Sequence, residues 1–524
     1  MRRLIPSKLR SVVKSLGVRL RLVPAPAAKR DYMVPMRDGV MLSTEVHLPA
    51  GRGPWPAIVL RTPYGPADVA GAVGLTTHGY AVVIQNIRGR CGSEGKGMFS
   101  LNDGWGEHQD AYDTVEWIAK QPWCDGKVGG AGECYSGAAQ NRLVCSRPPH
   151  LVCSCAEFAA SNIYAQTIYI GGAFNKAHIE FTLGNSKWDP DNLKLWREHS
   201  NYDDFWRSLD CETMYPLAAA PMFQKGGWYD TFCQGTLNSF MLLQNKGGPG
   251  ARGRQKLVMG PWRHCRAHKA RQGELTYPPN SVFPRVYTDA RWFDYWLKGM
   301  DNGIMKDPPV MYYVMGDPLD PNAPGNVWRT ADSWPPPATE TPYYFRAGGR
   351  LLPDAPAASE PPQTYTYDPK DPVPTRGGAN VYIPAGPMDQ HCVEDRPDVL
   401  LFTTPVLDEP LEVTGRIKVV LWASSSAVDT DFTAKLTDVY PDGRSLLLLD
   451  GILRARHRES MERGDFLHAG MVYRFEIDLA STSVIFNKGH RIRVAISSSN
   501  FPRFDANPNT GAQSWEEKNP VLDH

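Results

Sequence analysis

The sequence predicts an α/β protein in two parts: a mostly parallel sheet covered by helices, then a separate all-β sandwich or jelly roll. Three observations predict it. Between residues 31 and 304 short apolar runs alternate with amphipathic stretches, the pattern of successive βα units. Residues 161–219 interrupt that rhythm with a polar stretch rich in Trp and Tyr, which reads as a helical insertion. Beyond residue 304 short strands follow one another with no helix between them. Length agrees, since 524 residues exceed the roughly 250–300 that one core supports.

Each element has its own warrant. Residues 1–30 carry nine Arg or Lys and no acid. Leu9, Val12, Val13, Leu16 and Leu20 follow helical spacing there, so this basic arm reads as an accessory helix packed on the body, with contact to a membrane surface as the alternative. Runs 32–36 and 40–47 flank Arg37-Asp38-Gly39, a hairpin signal. Apolar runs 56–60 and 80–84 are short and bounded by turn residues, as buried strands are. Residues 107–120 form an amphipathic helix. Strand 127–131 enters Gly132 and a small-residue helix from 135 to about 145, with a further strand at 151–158. After the insertion come strand 222–227, a helix from 231 to about 245, strand 256–259 and a helix over 289–300. Residues 331–390 hold 13 of the 45 prolines, a density that excludes helices and central strands. Period-two strands then follow at 412–422, 431–438, 445–449, 472–479 and 491–497. The expected division is 31–160 with 220–304 for the α/β domain, 161–219 for the cap, and 305–524 for the β domain.

Composition excludes several classes. With 42% hydrophobic and 22% charged residues and a net charge of +1, the chain is ordinary for a globular protein and lacks the field of a nucleic-acid binder. No run of about 18 apolar residues predicts a membrane span, and Lys8, Arg10, Lys14 and Arg19 interrupt any secretory leader. A cytoplasmic protein with ten reduced cysteines is expected. Gly89 to Lys96 has the wrong spacing for a phosphate loop, and Gly97 stands where Ser or Thr is required. Cys153-Ser154-Cys155 is too tight for a zinc pair. No metal and no organic cofactor is expected.

The chemistry concentrates in Gly130-Ala131-Gly132-Glu133-Cys134-Tyr135-Ser136-Gly137, between a strand and a helix. In α/β-hydrolases a nucleophile sits on such a turn, and small flanking residues let strand and helix approach. The glycine frame centres on Cys134, with Ser136 as the rival. Downstream, Gly226-Gly227-Trp228-Tyr229-Asp230 and Gly260-Pro261-Trp262-Arg263-His264 each end a strand. Nucleophile, acid and histidine thus come in the order of that fold. Asp230 alone would read as a helix N-cap and His264 alone as a loop histidine.

These motifs resemble the cocaine-esterase-like and X-prolyl dipeptidyl-peptidase family, the CocE/NonD-type hydrolases. The resemblance runs from about Asp31 onward. It rests on Arg61-Thr62-Pro63-Tyr64, Ile87 to Gly95, Tyr112 to Trp117, Gln121 to Gly126, the turn at Cys134, Trp228-Tyr229-Asp230, Gly260 to His264, and Ser499 to Asp505 with Asn507 to Gly511. It implies an α/β-hydrolase domain with an inserted helical cap and a C-terminal jelly roll. It also implies a Cys134–His264–Asp230 triad, with an oxyanion hole from the Tyr135 amide and the Tyr64 hydroxyl. Phe232 and Trp228 are candidate substrate contacts.

Two departures set the expectation apart from the family. Cysteine replaces the family's nucleophilic serine, so the acyl-enzyme would be a thioester that amines attack readily. The family's ester hydrolases of α-amino acids hold the substrate ammonium with acids two and three residues past the triad acid. Phe232 and Cys233 stand at those positions. The expected activity is cleavage of an ester or activated acyl bond. A biosynthetic acyltransferase is the alternative, and a non-catalytic binding scaffold the third reading. The expected partners are a small acyl substrate and an acyl acceptor, with homo-oligomerisation left open.

Overall fold

A computed structural model describes residues 28–101, 103–185, 188–357 and 359–524. The basic arm and its amphipathic pattern fall almost wholly outside the described residues. Its last three residues do not, because β1 (Ala28–Pro35) pairs antiparallel with β2 (Met41–Leu48) along its whole length, Ala28 opposite Leu48. Pairing is therefore already in place at residue 28, ahead of the expected start at 31.

Ten strands form the large sheet: β3 (Trp55–Thr62), β4 (Ala81–Asn86), β5 (Cys124–Glu133), β6 (Leu151–Glu157), β7 (Met222–Tyr229), β8 (Lys256–Arg263), β9 (Val310–Val314) and β10 (Val327–Ala331) join the first two. Their spatial order is β1-β2-β4-β3-β5-β6-β7-β8-β9-β10, and the run from β4 to β9 is parallel. Central strands of a parallel sheet are buried on both faces, and every residue of β4 and β7 is buried. Helix α1 (Asp110–Ala119) turns Ala111, Thr114, Val115 and Ile118 inward, one helical stripe. Helix α2 (Tyr135–Ser146) is buried at every position, which explains its small residues.

Past the expected boundary at residue 305, β9 and β10 still pair with the large sheet, as far as Ala331. Residues 310–314 are an apolar run whose members are all buried except Met311, which is half-buried. They pair with β8, and the compositional shift around them hid that strand. The cap is helical as expected, with α3 (Lys176–Asn185) and α4 (Asp191–Glu198) its longer helices. Its core packs Tyr164, Tyr169, Trp196 and Trp206.

The second domain is all β. A six-stranded sheet faces a long two-stranded ribbon, Leu411–Ala423 paired with Tyr473–Phe486. Phe432, Leu436, Ile492 and Val494 meet Val419, Leu421, Phe475 and Ile477 between the layers. The family motif near the C-terminus ties this domain to the cap. Asp505 accepts from the Phe174 amide at 2.9 Å and from Arg454 at 3.0 Å. Among the described residues, no helix is long and apolar enough to cross a membrane.

Candidate active site

Strand β5 ends at Glu133 and α2 begins at Tyr135, so Cys134 makes the turn alone, at φ 61° and ψ −125°. A non-glycine residue held there stores strain, on the order of 1–3 kcal/mol. Two main-chain hydrogen bonds fix it: Cys134 N–H to Glu157 O at 3.0 Å and Ala138 N–H to Cys134 O at 2.9 Å. The flanking glycines are sterically required. A Cβ at Gly132 would lie 2.1 Å from Ser136 O, and one at Gly137 would lie 2.6 Å from Glu157 O. Ser136, the rival nucleophile, is 1% exposed and lies outside the cavity that Cys134 lines.

Asp230 leaves the end of β7 in a turn closed by its N–H to Gly227 O at 3.1 Å. His264 leaves the end of β8 next to it. The close approach needs Gly227, whose Cβ would fall 2.1 Å from Trp262 O. His264 Nδ1 lies 2.7 Å from Asp230 Oδ1, and since a buried carboxylate accepts, Nδ1–H is the donor. Phe158 and Phe232 set their edges against the imidazole at 5.8 and 5.4 Å. Nε2 is buried and makes no aligned hydrogen bond to any described protein atom.

The electrostatics couple sulfur and ring. The neighbouring Cys265 thiol is the largest influence holding Cys134 well below the usual thiol range. Burial opposes it, while His264 and Tyr64 add to it. Burial would lower the His264 pKa, but the Cys134 thiolate and then Asp230 raise it well above the usual histidine value. Together these favour a thiolate–imidazolium pair. The Tyr64 hydroxyl lies 3.4 Å from Cys134 Sγ, and burial first, then the Cys134 charge, keep that phenol protonated. Tyr135 is the first residue of α2, so its N–H has no partner in the helix ladder.

The cavity beside Sγ is narrow and mostly aromatic. Tyr64, Phe99, Tyr135, Arg142 and Phe232 come from the α/β domain, and Ile163, His178 and Trp188 from the cap. Tyr382 reaches in from the second domain. Its ring stacks on Phe181 at 3.9 Å and meets His178 at 5.2 Å. Burial holds His178 neutral, lowering its pKa to about 4. Cys134, Asp230, His264, Tyr64, Tyr135 and Phe232 thus meet at one place. Trp228 does not. It is 1% exposed, donates to Tyr313 O at 2.7 Å and packs on Trp334 at 5.3 Å. The turn at Asp230 swings the chain toward the site only after Trp228 has been fixed in the core. It is a packing residue and not a substrate contact.

Cys265, Arg142, His178 and Tyr382 were not singled out in the sequence. Cys265 did carry a signal, following directly on His264. A wider groove of about 550 Å³ on the second domain, bordered by Glu394, Tyr440 and Arg493, is lined by no cysteine or serine. Donor atoms of Cys155, Glu157 and Asp289 converge within 4.8 Å. The buried Lys225 ammonium bridges Glu157 and Asp289 and already supplies the positive charge there.

Residues 38–187 and 176–266 match the X-Pro dipeptidyl-peptidase (S15 family) model, and residues 302–522 match the X-Pro dipeptidyl-peptidase C-terminal non-catalytic domain. The chain is 35% identical to the cocaine esterase of Rhodococcus sp. (strain MB1 Bresler) over 548 aligned residues, 92% of each chain. The chain belongs to the cocaine-esterase and X-prolyl dipeptidyl-peptidase family of CocE/NonD-type α/β-hydrolases. Among solved structures, an aminopeptidase from a marine sediment Thaumarchaeota archaeon superposes with a TM-score of 0.82 at 25% identity. It covers 100% of this chain and 96% of its own. An α-amino acid ester hydrolase superposes with a TM-score of 0.81 at 26% identity, covering 97% and 96%. Within this CocE/NonD-type frame, Arg88 explains one shared motif. It holds Asp110 at 2.7 Å and Asp38 at 2.6 Å, fastening the β1–β2 hairpin to α1.

Proposed function

We propose that this chain is an acyl-transfer enzyme of the CocE/NonD type that forms a thioester on Cys134 and releases the acyl group to water. The observation that carries the reading is the position of Sγ, at the apex of a strained turn with the Tyr64 hydroxyl 3.4 Å away. His264, oriented by Asp230 at 2.7 Å, takes the Cys134 proton. The thiolate attacks the acyl carbon, and the Tyr135 amide and Tyr64 hydroxyl stabilise the oxyanion. The C–O bond to the leaving group then breaks, and His264 returns the proton to that oxygen. In the second half, water loses a proton to His264 as its oxygen attacks the thioester, and the C–S bond breaks.

The family's esterases and peptidases support acyl-bond cleavage in general. The thiol argues for activated esters over peptides, because a thiolate leaves a tetrahedral intermediate more readily than an amine does. An acyltransferase is the second reading. The enclosed cavity around Sγ, with Phe99, Trp188, Phe232 and Tyr382 on its walls, limits water and favours an amine attacking the thioester. A purely binding role fits poorly with a buried acid–histidine pair beside a thiol whose pKa it helps to lower.

Intact-protein mass spectrometry with activated esters tests the reading. An acyl adduct on the wild type that disappears in Cys134→Ala supports it, and no adduct on Cys134 refutes it. Adding amine acceptors separates transfer from hydrolysis by the product formed. Undiminished turnover in Cys134→Ser would remove the argument from sulfur.

A further inference from the structure

Arg142 is the feature of the cavity that this mechanism leaves unused. It lies on α2, two turns past Cys134, and is 2% exposed. Its Nη1 donates to Ala138 O at 3.2 Å, while its Nε is buried with no hydrogen-bond partner. Arg142 nevertheless lines the cavity alongside Tyr135 and Ala138. A buried arginine normally has its donors satisfied, because each unused N–H retains its desolvation cost.

The nearest acid does not answer for it. Asp103 Oδ1 accepts from Arg61, and Oδ2 accepts from Tyr135 Oη at 3.0 Å. Arg142 acts on Asp103 only through space. The remaining cavity groups add no negative charge beyond the thiolate, which His264 balances. Phe99, Trp188, Phe232 and Tyr382 are aromatic, and His178 has a neutral ring. The cavity thus offers one positive fork of donors with its Nε unused, among mostly aromatic walls.

We infer that Arg142 is a specificity-determining residue that receives the carboxylate end of a short acyl chain carried on Cys134. The substrate class is a monoester of a short dicarboxylic acid, attacked at the ester and held at the free acid. The bond to Ala138 O holds the guanidinium about one turn along α2 from Cys134, about 6 Å of helix rise at about 1.5 Å per residue, so the chains to test are short, of succinyl or glutaryl size. Guanidinium and carboxylate match as a bidentate pair. This inference rests on the acyl-enzyme reading above.

The test compares 4-nitrophenyl hemisuccinate and hemiglutarate with 4-nitrophenyl butyrate and valerate, their methyl-terminated counterparts. The wild type should show at least a tenfold higher kcat/KM for the acid-terminated member of each pair. Arg142→Met should bring each ratio to one or below, and Arg142→Lys should retain part of it. Preference for the methyl-terminated ester in the wild type would overturn the inference, as would an unchanged ratio in Arg142→Met. A second readout needs no variant, since Arg142 also steadies Asp103. Glutarate should slow alkylation of Cys134 by iodoacetamide more than valerate does, and equal protection counts against the inference. Adducts formed equally from acid and methyl esters leave the acyl-enzyme intact and remove only the role of Arg142. No adduct from either refutes both.

Discussion

Cys265→Ala should make Cys134 a weaker acid by about one pKa unit. The Cys265 thiol is the largest influence lowering the Cys134 pKa, ahead of His264 and Tyr64. Hydrogen bonds to a charged partner contribute about 1.5–3 kcal/mol, but a thiol is a weak donor. The lower end, about 1.5 kcal/mol, corresponds to about one unit. Because the pKa is depressed in the native protein, loss of the donor moves the titration to higher pH. The pH dependence of iodoacetamide alkylation at Cys134 reads it directly. The variant's curve should lie about one unit higher, with roughly a tenfold slower reaction at pH values below both midpoints. Cys265→Ser, with a stronger O–H donor, should keep the wild-type curve or lower it. Cys91→Ala serves as the control, since Cys91 is exposed and its thiol bonds Pro63 O at 3.6 Å. Superimposable curves for wild type and Cys265→Ala would refute the assignment of Cys265 as the donor that sustains the thiolate.

Three further outcomes are expected. Tyr64→Phe removes the hydroxyl 3.4 Å from Sγ and should lower kcat by on the order of a hundredfold with KM near the wild-type value; unchanged kcat would dismiss Tyr64 as an oxyanion donor. Trp228→Ala removes a side chain that is 1% exposed and should destabilise the fold by about 3–5 kcal/mol. Urea unfolding measures that loss, while the KM of the remaining folded enzyme should stay unchanged. His457, held neutral by burial with its pKa lowered to about 4 from 6.5, should make stability depend on acid. The unfolded chain binds the proton first, so stability is complete above about pH 6.5 and falls toward pH 4, by on the order of 3 kcal/mol. His457→Gln should flatten that limb of a series of urea midpoints against pH.

The parts legible in the sequence share a physical property: they are written in residues close together along the chain. The strand at 81–84 was legible because a strand buried on both faces favours an unbroken apolar run. The turn at Cys134 was legible because glycine is the residue whose missing Cβ permits an approach of 2.1 Å at Gly132. Trp228 misled for a related reason. Nearness to Asp230 in sequence suggested nearness to the substrate, but a turn at the strand's end separates their directions. Residues 310–314 were lost to composition, since the proline-dense region that follows masked a short buried strand that completes the parallel run.

What could not be read is the enclosure of the site, and that governs specificity. Cys134, Asp230 and His264 follow the C-terminal ends of the parallel strands β5, β7 and β8, so their convergence follows from the sheet. The cavity walls are assembled from three units distant in sequence, with His178 from the cap meeting Tyr382 from the second domain. No local pattern predicts such a meeting. The contact is maintained at long range, through Asp505 to the Phe174 amide at 2.9 Å and to Arg454 at 3.0 Å. Weakening Asp505 would therefore loosen the cap against the second domain without touching the triad. Such a change should act on acyl selectivity before it acts on the chemistry at sulfur. The proposed catalytic residues are positioned by the sheet, while the walls around them depend on the docking of cap and β domain, where His178 meets Tyr382.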